Sequence, residues 1–145
     1  MKLNPYLNFN GNAAEAFRFY QSVLGGEAMF MKMEDGPGAE KLTEEERGLI
    51  MHVSIPIGDC QFLMGSDCLE SQEPRLTIGN NNYIALSPDS RDEADRIFNG
   101  LSAGGEIEMP MADMFWGDYF GSFKDKFGVH WMIMFENAKV EPEVS

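Results

Sequence analysis

The chain has 145 residues, 43% of them hydrophobic, enough for one domain or two small half-domains with a real core. Its 24 acidic residues outnumber the 11 basic ones, and the net charge of −13 sets it against nucleic-acid phosphates and anionic membrane surfaces. No stretch approaches the roughly 18 apolar residues of a spanning helix, and "MKLNPYLNFNG" has no signal-peptide run, so a cytoplasmic protein is expected.

The first predicted strand is "PYLNF", where alternation sets Asn4, Tyr6 and Asn8 on one face and Leu7 and Phe9 on the other. A helix follows in "NGNAAEAFRFYQSVLGGE". Asn12 is its expected N-cap, Glu15 closes a capping box, and Gly25 and Gly26 stop it. Ala13, Phe17, Tyr20 and Leu24 make a stripe at helical spacing that must lie on a sheet. Three strands are expected next, at about 27–33, 49–57 and 60–65, the last two joined by the tight turn Gly58, Asp59. Between the first two, the acidic, Gly-containing segment 34–48 is expected to be a lid or a flexible loop. Its "TEEERG" cluster fits a solvated loop or a short surface helix. Cys60 and Cys68 are spaced unlike any zinc or redox motif and read as reduced structural thiols.

After a polar linker at 67–80, "YIALSPDS" reads as a strand with Ile84 and Leu86 on one side and Tyr83, Ala85 and Ser87 on the other. A face that meets another core layer usually carries branched aliphatics, so this small, hydroxyl-bearing face suggests space left for something else. "SRDEADRIFNGLSAGGE" then repeats the first helix in design. Ser90 and Glu93 form the box, Ala94, Ile97, Phe98 and Leu101 the stripe, and Gly104 and Gly105 the stop. Strands are expected at about 106–110, 119–124 and 129–136, with "DKFG" as the last turn. The chain is thus written twice, as modules 1–66 and 81–138, and a shift of 79 residues lays Gly26 on Gly105.

This order, with "AFRFYQSVLGGE", "YIALSPD" and "KDKFGVHWMI", resembles the vicinal oxygen chelate superfamily of glyoxalases, bleomycin-resistance proteins and extradiol dioxygenases over nearly the whole chain. "NPYLNFNGNAAEAFRFY", "GGEIEMP", "MFW", "FG" and "DKFGVHWMI" narrow the likeness to the PhnB-like branch, which carries a 3-demethylubiquinone methyltransferase domain name. The resemblance implies an α+β fold, one domain over 1–145 made of two βαβββ modules with curved mixed sheets. Helices would cover the convex side and a cavity would open on the concave side. Asn4, Tyr6, Asn8, His52, Ser54, Met64, Tyr83, Ala85, Ser87, His130, Met132 and Met134 would face that cavity, with Trp116 and Phe120 of "MFWGDYFGSF" as an aromatic wall. Their alternative role is core or dimer contact. Members also bury sheet edges against one another, so a homodimer is expected.

Superfamily enzymes hold a divalent metal on His and Glu side chains. Carried onto this chain, those positions become Asn4 or Pro5, Leu63 or Met64, Tyr83, and Met132. None is a histidine or a carboxylate, so no metal and no other cofactor is expected. His52 and His130, the only histidines, are each either a hydrogen-bonded wall residue or a functional group. The resemblance therefore implies a small, largely apolar or aromatic ligand bound by Asn4, Tyr6, Asn8, His52, Met64, Tyr83, Trp116, Phe120, His130 and Met132. His130, Tyr83 and His52 are the candidates for any catalysis. The alternative is a divalent-metal-dependent glyoxalase or dioxygenase-type enzyme using a displaced site around His52 and His130. Methyl transfer is not expected, because "FNGNAAEAF" supplies a single glycine where a Gly-rich nucleotide loop would be needed.

Overall fold

The computed structural model describes residues 1–69 and 76–137; part of the expected linker, 70–75, and the terminal 138–145 lie outside them. The chain divides into two units, Met1–Thr77 and Ile78–Ser145, each with one sheet.

In the first unit β1 (Tyr6–Phe9) leads into α1 (Ala13–Leu24), then β2 (Met29–Lys32), the single helical turn α2 (Glu44–Arg47), β3 (Ile50–Ile57) and β4 (Gln61–Asp67). The sheet order is β1-β4-β3-β2, with β1 parallel to β4 and the other pairs antiparallel. In the second unit β5 (Ile84–Leu86), α3 (Arg91–Ser102), β6 (Glu106–Asp113), β7 (Asp118–Lys124) and β8 (His130–Glu136) give the order β5-β8-β7-β6, again with one parallel pair, β5 and β8. Each parallel pair is bridged by a helix-containing crossover, while the tight hairpins join antiparallel strands.

The periodicities in the sequence select the packed faces. In the first unit Ala13, Ala16, Phe17 and Tyr20 of α1 are fully buried, as are Val53 and Ile55, with Leu63 nearly so. Phe17 meets Phe9 and Tyr20 edge-on at centroid distances of 6.0 and 5.5 Å. In the second, Ala94, Ile97, Phe98 and Leu101 of α3 cover Phe123, Trp131 and Ile133. Gly65 and Gly121 leave room for the helices: a Cβ at Gly65 would stand 2.7 Å from Phe17 Cε2, and one at Gly121 2.8 Å from Phe98 Cε2.

The helix starts differ from the expected capping boxes. Asn12 is the N-cap of α1, yet its side chain makes no capping bond. Asp67, at the end of β4, does that work instead: Oδ1 accepts the backbone N–H groups of Gly11 (3.0 Å) and Ala13 (2.9 Å), and Oδ2 accepts that of Ile50 (2.8 Å). At α3, Ser90 Oγ accepts the Glu93 N–H at 3.1 Å as expected, but the Glu93 carboxylate takes the N–H of Asp89. The segment expected to be a loop or lid carries two 3-10 turns, Met33–Asp35 and Ala39–Lys41, and α2. The reason is local: Thr43 and Glu46 form the reciprocal capping box that α1 lacks. Both cysteines are free thiols. Among the described residues no helix is long and apolar enough to cross a membrane.

Candidate functional site

Each sheet packs its helix on one face, so the other face is where side chains are available to meet a ligand. In the first unit this face carries Tyr6, Asn8, His52 and Met64, with Asn4 in the segment ahead of β1. The Tyr6 hydroxyl and His52 Nδ1 share a hydrogen bond of 3.1 Å, and Tyr6 is the register neighbour of Met64. Asn4 Oδ1 accepts the Phe62 N–H at 3.0 Å, fixing the chain ahead of β1, and Asn8 Oδ1 lies 3.4 Å from Ser66 Oγ. His52 Nδ1 is thus engaged by Tyr6, with its role left as either wall residue or functional group. A cavity of about 640 Å³ in this unit lies elsewhere, between Asn10, Gly11, α2 and Cys68, and among the described residues no aromatic side chain lines it.

The second unit gathers Tyr83, just ahead of β5, with His130 and Met132 on β8 and Phe120 beside them on β7. Tyr83 and His130 meet edge-on at 5.2 Å. Trp116, in the turn between β6 and β7, donates Nε1–H to Asp118 at 2.9 Å and meets Phe120 at 6.3 Å. It is 53% exposed, so it borders the face rather than lying buried in it. The expected alternation holds around these groups: Trp131 and Ile133 point to α3, whereas His130, Met132 and Met134 lie on the opposite side.

Glu108, on β6, was not anticipated in the sequence. The Tyr83 hydroxyl donates to both of its carboxylate oxygens, at 2.9 and 3.1 Å. Its Oε2 also stands 3.7 Å from His130 Nδ1, beyond hydrogen-bond reach. That nitrogen is the one buried side-chain nitrogen or oxygen without a hydrogen-bond partner among the described residues. The alternation of "GEIEMP" could have marked Glu106 and Glu108 as sharing one face, but only the folded sheet sets Glu108 against Tyr83, 25 residues away.

Hydrogen bonding to the Glu108 carboxylate raises the Tyr83 pKa above the ordinary phenol value, with desolvation and the carboxylate charge acting in the same direction. Tyr119, which donates to Asp95 at 2.5 Å, is raised for the same reason. Its ring lies under Arg91, whose guanidinium pairs with Asp113 at 2.7 Å and holds that carboxylate below its usual range. An alkaline titration followed by phenolate absorbance should show Tyr83 and Tyr119 ionising above pH ~10, and Glu108→Gln should return Tyr83 to the ordinary range. A raised folded value gives a contribution to stability fully present below the unfolded pKa and lost as pH climbs through the raised one.

The positions onto which the resemblance carries the superfamily's metal ligands hold an amide or proline (Asn4, Pro5), apolar side chains (Leu63, Met64), a phenol (Tyr83) and a thioether (Met132). These are poor donors for a divalent ion. Among the described residues no group of three or more His, Cys, Asp or Glu side chains is placed to hold one. The residues present do not fit the metal.

Comparison with known proteins agrees with this architecture. The family model described as 3-demethylubiquinone-9 3-methyltransferase matches residues 1–134. Protein YjdN of Escherichia coli (strain K12) is 33% identical over 146 residues, covering 92% of this chain and 94% of its own length. Among solved structures, protein PA1353 from Pseudomonas aeruginosa is 36% identical with a TM-score of 0.82, covering 94% of this chain and 98% of its own. The PhnB protein from Bacillus cereus is 25% identical with a TM-score of 0.70 over 93% and 99%. The fold recurs in a glyoxalase/bleomycin resistance protein/dioxygenase family enzyme from Burkholderia phytofirmans PsJN, at 14% identity and a TM-score of 0.58 over 90% and 96%.

Proposed function

Because the chain belongs to the 3-demethylubiquinone-9 3-methyltransferase family, the PhnB-like branch of the glyoxalase/bleomycin resistance/dioxygenase superfamily, we propose that it binds a small, largely apolar or aromatic molecule without a metal. The carrying observation is the helix-free face of the second unit. There Tyr83, Glu108 and His130 form a polar cluster beside Met132 and Phe120, with Trp116 at its border. A few polar groups on a largely apolar wall orient a ligand while its body is held by area. Asn4, Tyr6, Asn8, His52 and Met64 form the corresponding face of the first unit and share the proposed role. The partner is a small molecule, since the charge disfavours nucleic acid and anionic membrane surfaces.

Two other activities find less support. A displaced divalent-metal site around His52 and His130 needs a third donor, and His52 Nδ1 is already engaged by Tyr6. Methyl transfer of the usual kind needs a doubly wound parallel sheet with a Gly-rich turn, whereas each sheet here has a single parallel pair.

Tyr83 is 40% exposed, and its hydroxyl is bonded to a carboxylate rather than to a backbone group of the core. Tyr83→Phe should therefore weaken binding of an aromatic ligand by about 1–3 kcal/mol and leave the melting temperature nearly unchanged. Calorimetry paired with a thermal melt reads both. A destabilised variant with unchanged affinity would remove Tyr83 from the site.

We also propose that the chain pairs as a homodimer. Support comes from the edge strand β2, whose Met29 and Met31 are 72% and 46% exposed, an apolar edge that an isolated sheet would leave in water. Light scattering should give twice the chain mass at micromolar concentration, and the mass of one chain would refute pairing.

A further inference from the structure

We propose that Tyr83, Glu108 and His130 form an acid–base site that takes the proton from an acidic hydroxyl on the bound ring, a phenol or an enol, and holds the resulting oxyanion. This rests on the binding reading above and names the ligand class.

The argument starts from the unpartnered nitrogen. The His130 side chain is 10% exposed, and its Nδ1 is sealed from solvent with no hydrogen-bond partner. Native proteins seldom leave such an atom without a role. Glu108 Oε2 is 3.7 Å away, and the single Tyr83 hydroxyl proton, shared between the two Glu108 oxygens, holds the carboxylate at that distance while leaving it lone pairs for a second donor. The carboxylate thus faces two donors and is bonded to Tyr83 alone, the Tyr83 contact keeping it out of reach of Nδ1.

A ligand oxygen placed at Tyr83 offers that hydroxyl a different acceptor. Glu108, released, needs to move only about 1 Å to accept Nδ1–H at ordinary hydrogen-bond length. A carboxylate on Nδ1–H fixes the tautomer and leaves Nε2 as the base. The step is a proton transfer and nothing else. The ligand O–H bond breaks, the proton goes to His130 Nε2, and the electron pair remains on the ligand oxygen, which accepts a hydrogen bond from Tyr83. Glu108 balances the imidazolium. No metal, oxidant or reductant is consumed, and release of the ligand reverses the step.

The surroundings decide the ligand class. A chain of net charge −13, with Glu106 and Glu108 on the same strand, repels an anion arriving from solution. The ligand therefore arrives neutral and is ionised in place. An aliphatic alcohol or an unactivated phenol, which ionises at about pH 10, is too weak an acid to give its proton to imidazole, whereas a hydroxyl on a ring that carries an electron-withdrawing group is within reach. Other charges near His130 are already engaged. Lys124, its register partner on β7, pairs with Glu106 at 3.3 Å, and Asp125 accepts Trp131 Nε1–H and the backbone groups of its own turn.

The test uses 4-nitrophenol, whose phenolate absorbs visible light and whose neutral form does not, beside its methyl ether 4-nitroanisole, which has no proton to give. In buffer below the pKa of free 4-nitrophenol, the wild-type protein should bind it and the phenolate band should grow to saturation. Glu108→Gln and Tyr83→Phe should each lower that band at least tenfold at equal protein concentration. Equal binding of both compounds with no phenolate band overturns the acid–base site and leaves the binding reading standing. Binding of neither compound overturns both. Should Glu108→Gln fail to fold, ¹⁵N spectra of the wild-type complex decide: a proton on His130 Nδ1 supports the proposal and a bare Nδ1 overturns it.

Discussion

Replacing Asp67 with alanine should cost about 3–5 kcal/mol of folding stability, through several orphaned donors at about 1–3 kcal/mol each. Asp67 is 3% exposed and accepts the N–H groups of Gly11, Ala13 and Ile50, so one carboxylate ties the end of β4 to the start of α1 and the start of β3. Alanine removes the acceptor of all three and leaves no side chain able to replace it, since Asn12 makes no capping bond. Gly11 is the most open of the three positions and will recover water, which keeps the total below the full sum. Asp67→Asn separates the contacts. Its one oxygen can keep the Gly11 and Ala13 bonds, while its amide nitrogen meets the Ile50 N–H, so a smaller loss of about 1–3 kcal/mol is expected. Urea unfolding should show a lower midpoint at unchanged slope. An alanine variant within 1 kcal/mol of wild type would show that Asp67 does not hold these elements together.

A loss of similar size, about 3–5 kcal/mol, is expected from Asp125→Ala in the second unit. Asp125 is 1% exposed; Oδ1 accepts the N–H groups of Phe127 (2.8 Å) and Val129 (3.0 Å), closing the turn between β7 and β8. Oδ2 accepts the indole N–H of Trp131, the largest fully buried side chain, at 2.8 Å. The variant loses the turn and the acceptor of a buried indole together. His130 lies between Val129 and Trp131 in the chain, so the same change should also displace the proposed base. Denaturation combined with tryptophan emission reads the effect, the expected result being an earlier transition with Trp131 more exposed. An unchanged midpoint would mean that the turn is held by other contacts.

Much of the fold was legible because it rests on periodic apolar patterns. In the stripes Ala13, Phe17 and Tyr20, and Ala94, Ile97, Phe98 and Leu101, are buried as the helical spacing required, while Leu24 at the end of α1 is only half-buried; of the strand positions read as inward, Phe9 is buried and Leu7, Ile84 and Leu86 are half-buried. The errors fall where a distant group decides. β4 runs on to Asp67 because that carboxylate is recruited by three backbone donors from two other elements, which no local motif around "MGSDC" encodes. β6 continues past Pro110 to Asp113 because it is an edge strand, where a residue lacking N–H can face away from the ladder. In the site, Tyr83 and His130 were legible from strand alternation, whereas Glu108 was not. It sits at the register shift between Ile107 and Met109 on the edge strand β6 and meets Tyr83 from the opposite edge of the sheet, whereas in the sequence a carboxylate on an exposed strand reads as a solvated charge.

The central claim, that the helix-free face of the second unit binds a small aromatic molecule, is tested most directly by methyl NMR of the methionine-labelled full chain. The 11 methionines report on many surfaces at once, and Met132 and Met134 on β8 lie on the proposed face. Titration with small aromatic compounds, 4-nitrophenol among them, should shift Met132 and Met134 saturably and weaken together with Tyr83→Phe. Shifts confined to methionines away from β8, or no saturable shift with any ring compound, would contradict it.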